Sequence, residues 1–526
     1  MDIFEILLGL LAASVALALL SRRLNVPLAV VLMAGGMALA VVPGLPTVEL
    51  DPQLALALFL PPLLQASAYR TDWPSFRSNL RPILALALGA VLFTALAVAA
   101  TAKLLLPDLP WAAAIALGAI VAPPDAVAAT SVLKNFRLPK RIVTVLEGES
   151  LLNDASSLVL YRFAVSATLA GGISLGAASL SFVTSALGGM VLGYAVGRAA
   201  MWIFARLDDT LLDILVSFLA AFAAYILAER LHLSGVLAAV ACGLVLGRKQ
   251  HTAFSAQTRL EAGAVWGFVE FVLTALVFIL IGLQLRGLLV RLEDHDPRQL
   301  AGLGLAVSAA LIASRFLWLI PATWLPRALS RRFRERDPMP PWSHMAVLSW
   351  AGMRGVVSLA AALSLPAGFP ERDLILFLAF CAILATLVVQ GTTLGALIRR
   401  LDVCEADDEP MPAATPEAVE ARGTARAAAI EAVSDELGDP DKADLAQDLL
   451  GDLRLRAERA DNVRADVKGG PQREADRLAL RLRAVEAART QLLHEHRDEL
   501  ESEAMTALVA ELDLEEQQIR VELGGR

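Results

Sequence analysis

The residues best placed to do chemistry lie in one window, Gly148-Glu149-Ser150-Leu151-Leu152-Asn153-Asp154, which runs straight into apolar sequence. Glu149, Asn153 and Ser157 recur every four residues and so share one helical face, with Ser150 and Asp154 in the adjacent row. A second window, Ala122-Pro123-Pro124-Asp125-Ala126-Val127-Ala128, sets a carboxylate beside two residues that cannot donate a backbone hydrogen bond. The helix must break there, which frees carbonyls next to Asp125. Carbonyl and carboxylate oxygens are hard ligands, suited to a small hard cation. A third window, Gly352-Met353-Arg354-Gly355-Val356-Val357-Ser358-Leu359, places an always-charged guanidinium between two glycines. Its natural partner by charge is Glu149. The chemistry implied is exchange at a carboxylate: a group that binds a proton or a cation, but not both, couples their movements. Asp154 is the leading candidate for that group, with Ser150 as a hydroxyl ligand and Asn153 as its orienter.

The elements that must position these residues are membrane spans. The chain of 526 residues is 56% hydrophobic, where a soluble protein would be about 45–50%. The excess lies in residues 1–400, which carry a net charge of about +7, whereas residues 401–526 carry about −15. Thirteen apolar runs can be placed, at 3–20, 26–43, 52–69, 82–106, 110–132, 145–170, 176–204, 210–230, 233–247, 262–286, 299–325, 343–366 and 372–398. Between these spans the odd-numbered loops hold 18 Lys and Arg residues and the even-numbered loops 2. That bias puts the odd loops in the cytoplasm, the N-terminus outside and the C-terminal segment inside. The first residues lack a basic stretch, so the first apolar run reads as retained rather than cleaved.

The interrupted fifth and twelfth spans are seven apart, and an odd offset gives them opposite orientation in the bilayer. Paired interruptions in two inverted halves are the sequence pointer to a transporter's midplane site. The expected fold class is therefore an all-α polytopic membrane protein of about thirteen transmembrane helices, with inverted repeats and crossed broken helices. It has two domains, a transmembrane domain at 1–400 and an acidic, helical cytoplasmic tail at 401–526. The tail opens on a Pro- and acid-rich linker, Glu405 to Pro416, and is interrupted at Gly469-Gly470-Pro471. Cys242, Cys381 and Cys404 have no metal-ligand or disulfide spacing, and His494-Glu495-His496 is too little for a metal site. No cofactor and no nucleic-acid partner is expected.

Together, the three windows resemble the sodium/proton exchanger family, and within it the bacterial monovalent cation:proton antiporters. Weaker matches lie at Leu60-Pro61-Pro62-Leu63-Leu64, Ala228-Glu229, Ser234-Gly235-Val236-Leu237 and Leu280-Ile281-Gly282-Leu283-Gln284. The resemblance covers about residues 1–400. It implies a homodimer in the lipid of a bacterial inner (plasma) membrane, with a dimerisation domain and a core that moves as an elevator. It also implies electroneutral exchange of Na⁺, with K⁺ or Li⁺ as alternatives, for H⁺. Asp154 matches the family's essential ion- and proton-binding aspartate, Asn153 its Asn-Asp neighbour, Asp125 the aspartate of the broken helix and Ser150 the serine ligand. Na⁺ would thus lie among Asp125, Ser150 and Asp154, and Glu149 and Arg354 match a structural ion pair. Two positions depart from the family. Pro124 stands where many members have threonine, and Gln65 and Ala66 stand where many have glutamate, which implies a smaller ligand set.

Two other classes fit the sequence less well. An intramembrane aspartyl protease would need Tyr-Asp and Gly-x-Gly-Asp patterns, and neither occurs around Asp125 or Asp154. A cation channel, or a receptor signalling through the acidic tail, would not need a titrating carboxylate beside the ion site.

Overall fold

The computed structural model describes residues 3–24, 26–42, 52–133, 136, 138–170, 175–207, 209–293, 295–403, 416–435, 444–451, 453–454, 470–495, 512, 514–520 and 523. Among these there is no strand. The chain forms two compact units, Met1–Glu405 and Ala406–Arg526.

In the first unit every apolar run of the sequence falls on a helix or on a broken pair of helices. They are α1 (Ile3–Leu24), α2 (Leu28–Ala40), α3 (Pro52–Arg70), α4 (Leu80–Leu105), α5 (Trp111–Val121), α6 (Ala126–Leu133), α7 (Lys140–Ala170), α8 (Leu175–Phe204), α9 (Thr210–Arg230), α10 (Gly235–Ala253), α11 (Ala256–Arg291), α12 (Pro297–Leu329), α13 (Trp342–Trp350), α14 (Val356–Leu363) and α15 (Arg372–Leu401). Seven of them (α1, α4, α8, α9, α11, α12 and α15) are each long and apolar enough to cross a membrane. The chain is a multi-pass membrane protein. Several helices outrun the apolar runs that announced them. α7 starts at Lys140 rather than 145, and α11 spans Ala256–Arg291 rather than 262–286. Hydropathy registers only the stretch that hydrocarbon would cover, while a helix continues until its backbone finds a cap. α11 starts at such a cap, where the Ser255 side chain accepts from the Thr258 N–H.

The packing has the exchange symmetry expected of two repeats. α2 packs on α11 and α3 on α10; α4 packs on α5 and α12 on α13; α5 packs on α7 and α13 on α15. Swapping the first six spans for the last six converts one member of each pair into the other. The α2–α11 crossing is tight because Gly36 and Gly282 face each other's backbones. A Cβ on Gly36 would strike the Ile279 carbonyl, and one on Gly282 the Met33 carbonyl. Without a hydrophobic drive between helices in lipid, such close backbone approach is a main source of association.

In the second unit, α16 (Pro416–Asp435) and α17 (Gly470–Glu495) are helical. Leu478 and Val485 of α17 bury against Ile519, and Arg481–Glu515 and Arg520–Glu486 pairs flank that small core.

Candidate functional site

Two helices break where the sequence breaks them. α5 ends at Val121, and Pro123 and Pro124 leave no N–H to continue it before α6 begins at Ala126. α13 ends at Trp350, and the chain stays non-helical until Val356. The two interruptions touch: the Asp125 N–H donates to the Met353 carbonyl at 2.7 Å. Gly355 makes this crossing possible. Its φ of −149° is not left-handed, but space constrains it, since a Cβ there would collide with Asp125 Oδ2.

Each break exposes a carbonyl end, the negative pole of a half-helix, and each is met by an arginine. Arg354 Nε donates to the Val121 carbonyl at 2.9 Å and Nη2 to the Ala122 carbonyl at 3.1 Å, at the end of α5. Its Nη1 reaches the Gly352 carbonyl, and its backbone N–H donates to Thr386 Oγ1. Arg315 of α12 reaches the Leu348 carbonyl near the end of α13 through Nε at 3.1 Å. Its two remaining nitrogens donate to Glu149, Nη1 to Oε1 and Nη2 to Oε2, both at 2.6 Å. This corrects the sequence expectation. The ion pair of Glu149 is with Arg315, and no ion pair joins Glu149 to Arg354. The bidentate fork of Arg315 matches a carboxylate edge-on, whereas Arg354 is committed to carbonyls. Arg315 was visible as a charge inside a span, but sequence could not say which of two buried arginines would face Glu149.

On α7, Asn153 Nδ2 donates to the Pro124 carbonyl at 2.8 Å, so it ties α7 to the first break. The next residue, Asp154, is buried beside it. No hydrogen bond from the described residues reaches the Asp154 carboxylate, which opens instead on a cavity of about 60 Å³. The cavity brings together Asp125, Ser150 and Asp154, three of the four residues expected to bind a cation, and Asn153 stands behind them. Its wall also contains Thr274 of α11 and Ser358 of α14, which the sequence reading passed over. Apolar side chains of α3 and α11, Leu60, Leu63, Leu64 and Phe278, also line it. The arrangement offers two carboxylates and several hydroxyls to a small cation in an otherwise apolar, secluded space.

Comparison with known proteins agrees with this architecture. Residues 10–400 match the family model described as "Sodium/hydrogen exchanger, transmembrane", and the chain belongs to the sodium/hydrogen exchanger family. It is a transporter rather than an enzyme. The chain is 35% identical to an uncharacterized Na⁺/H⁺ exchanger of Mycobacterium tuberculosis, over 98% of this chain and 95% of that protein. It is 31% identical to the Na⁺/H⁺ antiporter NhaP of Pseudomonas aeruginosa, over 66% of this chain and 81% of that one. It is 32% identical to the sodium, potassium, lithium and rubidium/H⁺ antiporter of Bacillus subtilis, over 76% of this chain and 62% of that one. Among solved structures, the sodium proton antiporter MjNhaP1 from Methanocaldococcus jannaschii shares the fold, with a TM-score of 0.60, 19% identity, and coverage of 76% of this chain and 98% of that one. None of these comparisons supports a channel or a receptor.

Proposed function

We propose that the protein is a secondary antiporter that exchanges Na⁺, with K⁺ and Li⁺ as further candidate substrates, for H⁺ by alternating access. The observation that carries the reading is the Asp154 carboxylate. It lies in the cavity with Asp125, between crossed broken helices, and no protein donor among the described residues satisfies it. A buried carboxylate in that position binds a proton or a cation, and the competition between them couples the two fluxes. The relatives named as Na⁺/H⁺ antiporters support the choice of ions.

Charge counting favours one-for-one exchange. Asp125, Glu149 and Asp154 are set against Arg315 and Arg354, so these five groups, fully ionised, carry one net negative charge. One monovalent cation or one proton restores neutrality, so the same charge moves in each direction and transport is electroneutral. Asp125, Ser150, Asn153 and Asp154 form the site in this reading, and the Glu149–Arg315 pair with Arg354 holds its frame. The chain crosses a bacterial inner membrane thirteen times, with the N-terminus outside and the 401–526 domain in the cytoplasm, a placement supported by the loop-charge bias. It works as a homodimer in that lipid.

The test is an everted-vesicle assay. Adding Na⁺ after respiration-driven acidification should dissipate the pH gradient in wild type, and Asp154→Asn should abolish the response at normal expression. Full activity in that variant would sink the mechanism.

A further inference from the structure

At the two places where the sequence departs from the resemblance given above, Pro124 has no hydroxyl, and Gln65 and Ala66 have no carboxylate. Gln65 is also turned to other work, since its Nε2 donates to the Ser217 carbonyl at 2.6 Å. A cation that leaves water for this cavity must recover its hydration shell from protein oxygens. Two side chains in the cavity wall have oxygens to give. Ser358 is 1% exposed and Thr274 is 8% exposed. Both line the cavity with Asp125 and Asp154. Both hydroxyl oxygens are buried without a hydrogen-bond partner among the described residues.

That is unusual on two counts. A Ser or Thr on a membrane helix commonly returns its hydroxyl to the carbonyl one turn earlier, as Thr101, Thr168 and Ser308 do here. Ser358 and Thr274 do not. In addition, an unsatisfied buried hydroxyl is destabilising unless a ligand uses it. The pair comes from two different helices. Ser358 is in the first turn of α14, three residues past Gly355 and the crossing, and Thr274 is in the middle of α11.

We infer that Ser358 and Thr274 are cation ligands that complete the coordination shell of the transported ion. This rests on the antiporter reading above. A hydroxyl can rotate its proton away and present a lone pair, but it does not titrate at physiological pH. The two residues therefore act on the cation and leave the proton-binding step to the carboxylates. The smaller the cation, the more costly its dehydration and the more it depends on a full set of oxygens. Loss of either hydroxyl should hurt Li⁺ and Na⁺ more than K⁺.

The experiment compares Ser358→Ala and Thr274→Val with wild type in everted vesicles, with Li⁺, Na⁺ and K⁺ titrated separately at several pH values. Each variant should raise the apparent KM for Na⁺ about tenfold, the effect of losing one polar contact to a charged group. The KM for K⁺ should rise less, kcat should stay within about twofold of wild type on the same scale, and the midpoint of the pH dependence of KM, which reports proton binding to the empty site, should not move. Ser358→Thr and Thr274→Ser, which keep the hydroxyl, should restore the wild-type KM. A loss of kcat equal for all cations, unrescued by the hydroxyl-keeping variants, would assign both residues to packing and overturn the proposal. So would unchanged KM values for all three ions. If wild type itself gave no cation-dependent signal, the antiporter reading would fail instead.

Discussion

The two helix breaks are alike in form and opposite in chemistry. The first, at 122–125, is made by prolines and carries a carboxylate that faces the cavity. The second, at 351–355, is made around glycines and carries a guanidinium turned back onto the first break's carbonyls. Proline breaks a helix by removing a donor, so its break is obligatory and stiff. Glycine only permits a break, and here its contribution is room: Gly355 leaves the space that Asp125 occupies. The comparison shows how two equivalent half-helix junctions become chemically different. One brings a carboxylate to the cavity, the other a guanidinium, and each meets exposed backbone of the other.

The largest expected effect is on the pair that anchors this frame. Arg315 and Glu149 are 3% and 1% exposed and meet at 2.6 Å. Arg315→Ala strands the Glu149 carboxylate and should cost about 3–5 kcal/mol, seen as a large fall in melting temperature of the detergent-solubilised protein. Removing both charges, as Glu149→Leu with Arg315→Met, should recover most of that loss, because an apolar pair needs no solvation. If Arg354→Ala proved the more damaging single change and Arg315→Ala were tolerated, the assignment of Glu149 to Arg315 would be wrong.

Next comes Gly355→Ala, which tests whether room is the function of the second break. The new methyl group must displace Asp125, so transport should fall by more than about tenfold, with a stability cost of about 1–3 kcal/mol for the overpacked junction. Gly352→Ala is the control. Its Cβ would meet Arg315 Cδ and Nε and Arg354 Nη1 rather than Asp125, so its cost should fall on stability and its effect on transport should be smaller. Equal losses in the two variants would mean that the breaks are merely intolerant of any side chain.

These distinctions mark the limit of what could be read in the sequence. The fold was legible because lipid enforces long apolar runs, and because Pro123-Pro124 and Gly352–Gly355 interrupt two of them in matching places. Asp154 and Asp125 stood out for a related reason: a carboxylate within an apolar run is costly and so draws attention. What could not be read was pairing. Glu149 had two buried arginines within reach of a linear argument, and only the path of α12 past the end of α13 decides between them. Thr274 and Ser358 were invisible for the opposite reason. A hydroxyl in a membrane helix is cheap when it bonds to its own backbone, so composition cannot separate those that do from those that do not.

The smallest effect tests the division of labour between the two arginines. Arg354 donates to carbonyls of both breaks and, among the described residues, makes no salt bridge with a carboxylate. Its contribution should therefore be part charge and part geometry. Arg354→Lys keeps the charge but replaces a planar fork with a point donor, which cannot serve Val121, Ala122 and Gly352 together. We expect a loss of about 1–2 kcal/mol, of the order of one or two hydrogen bonds from a charged group, with the Na⁺ response in vesicles retained. Arg315→Lys should be worse, because it gives up a bidentate contact with a carboxylate as well as the Leu348 carbonyl. If lysine were tolerated equally at both positions, charge alone would hold the frame, and the difference in geometry between the two junctions would carry no energetic weight.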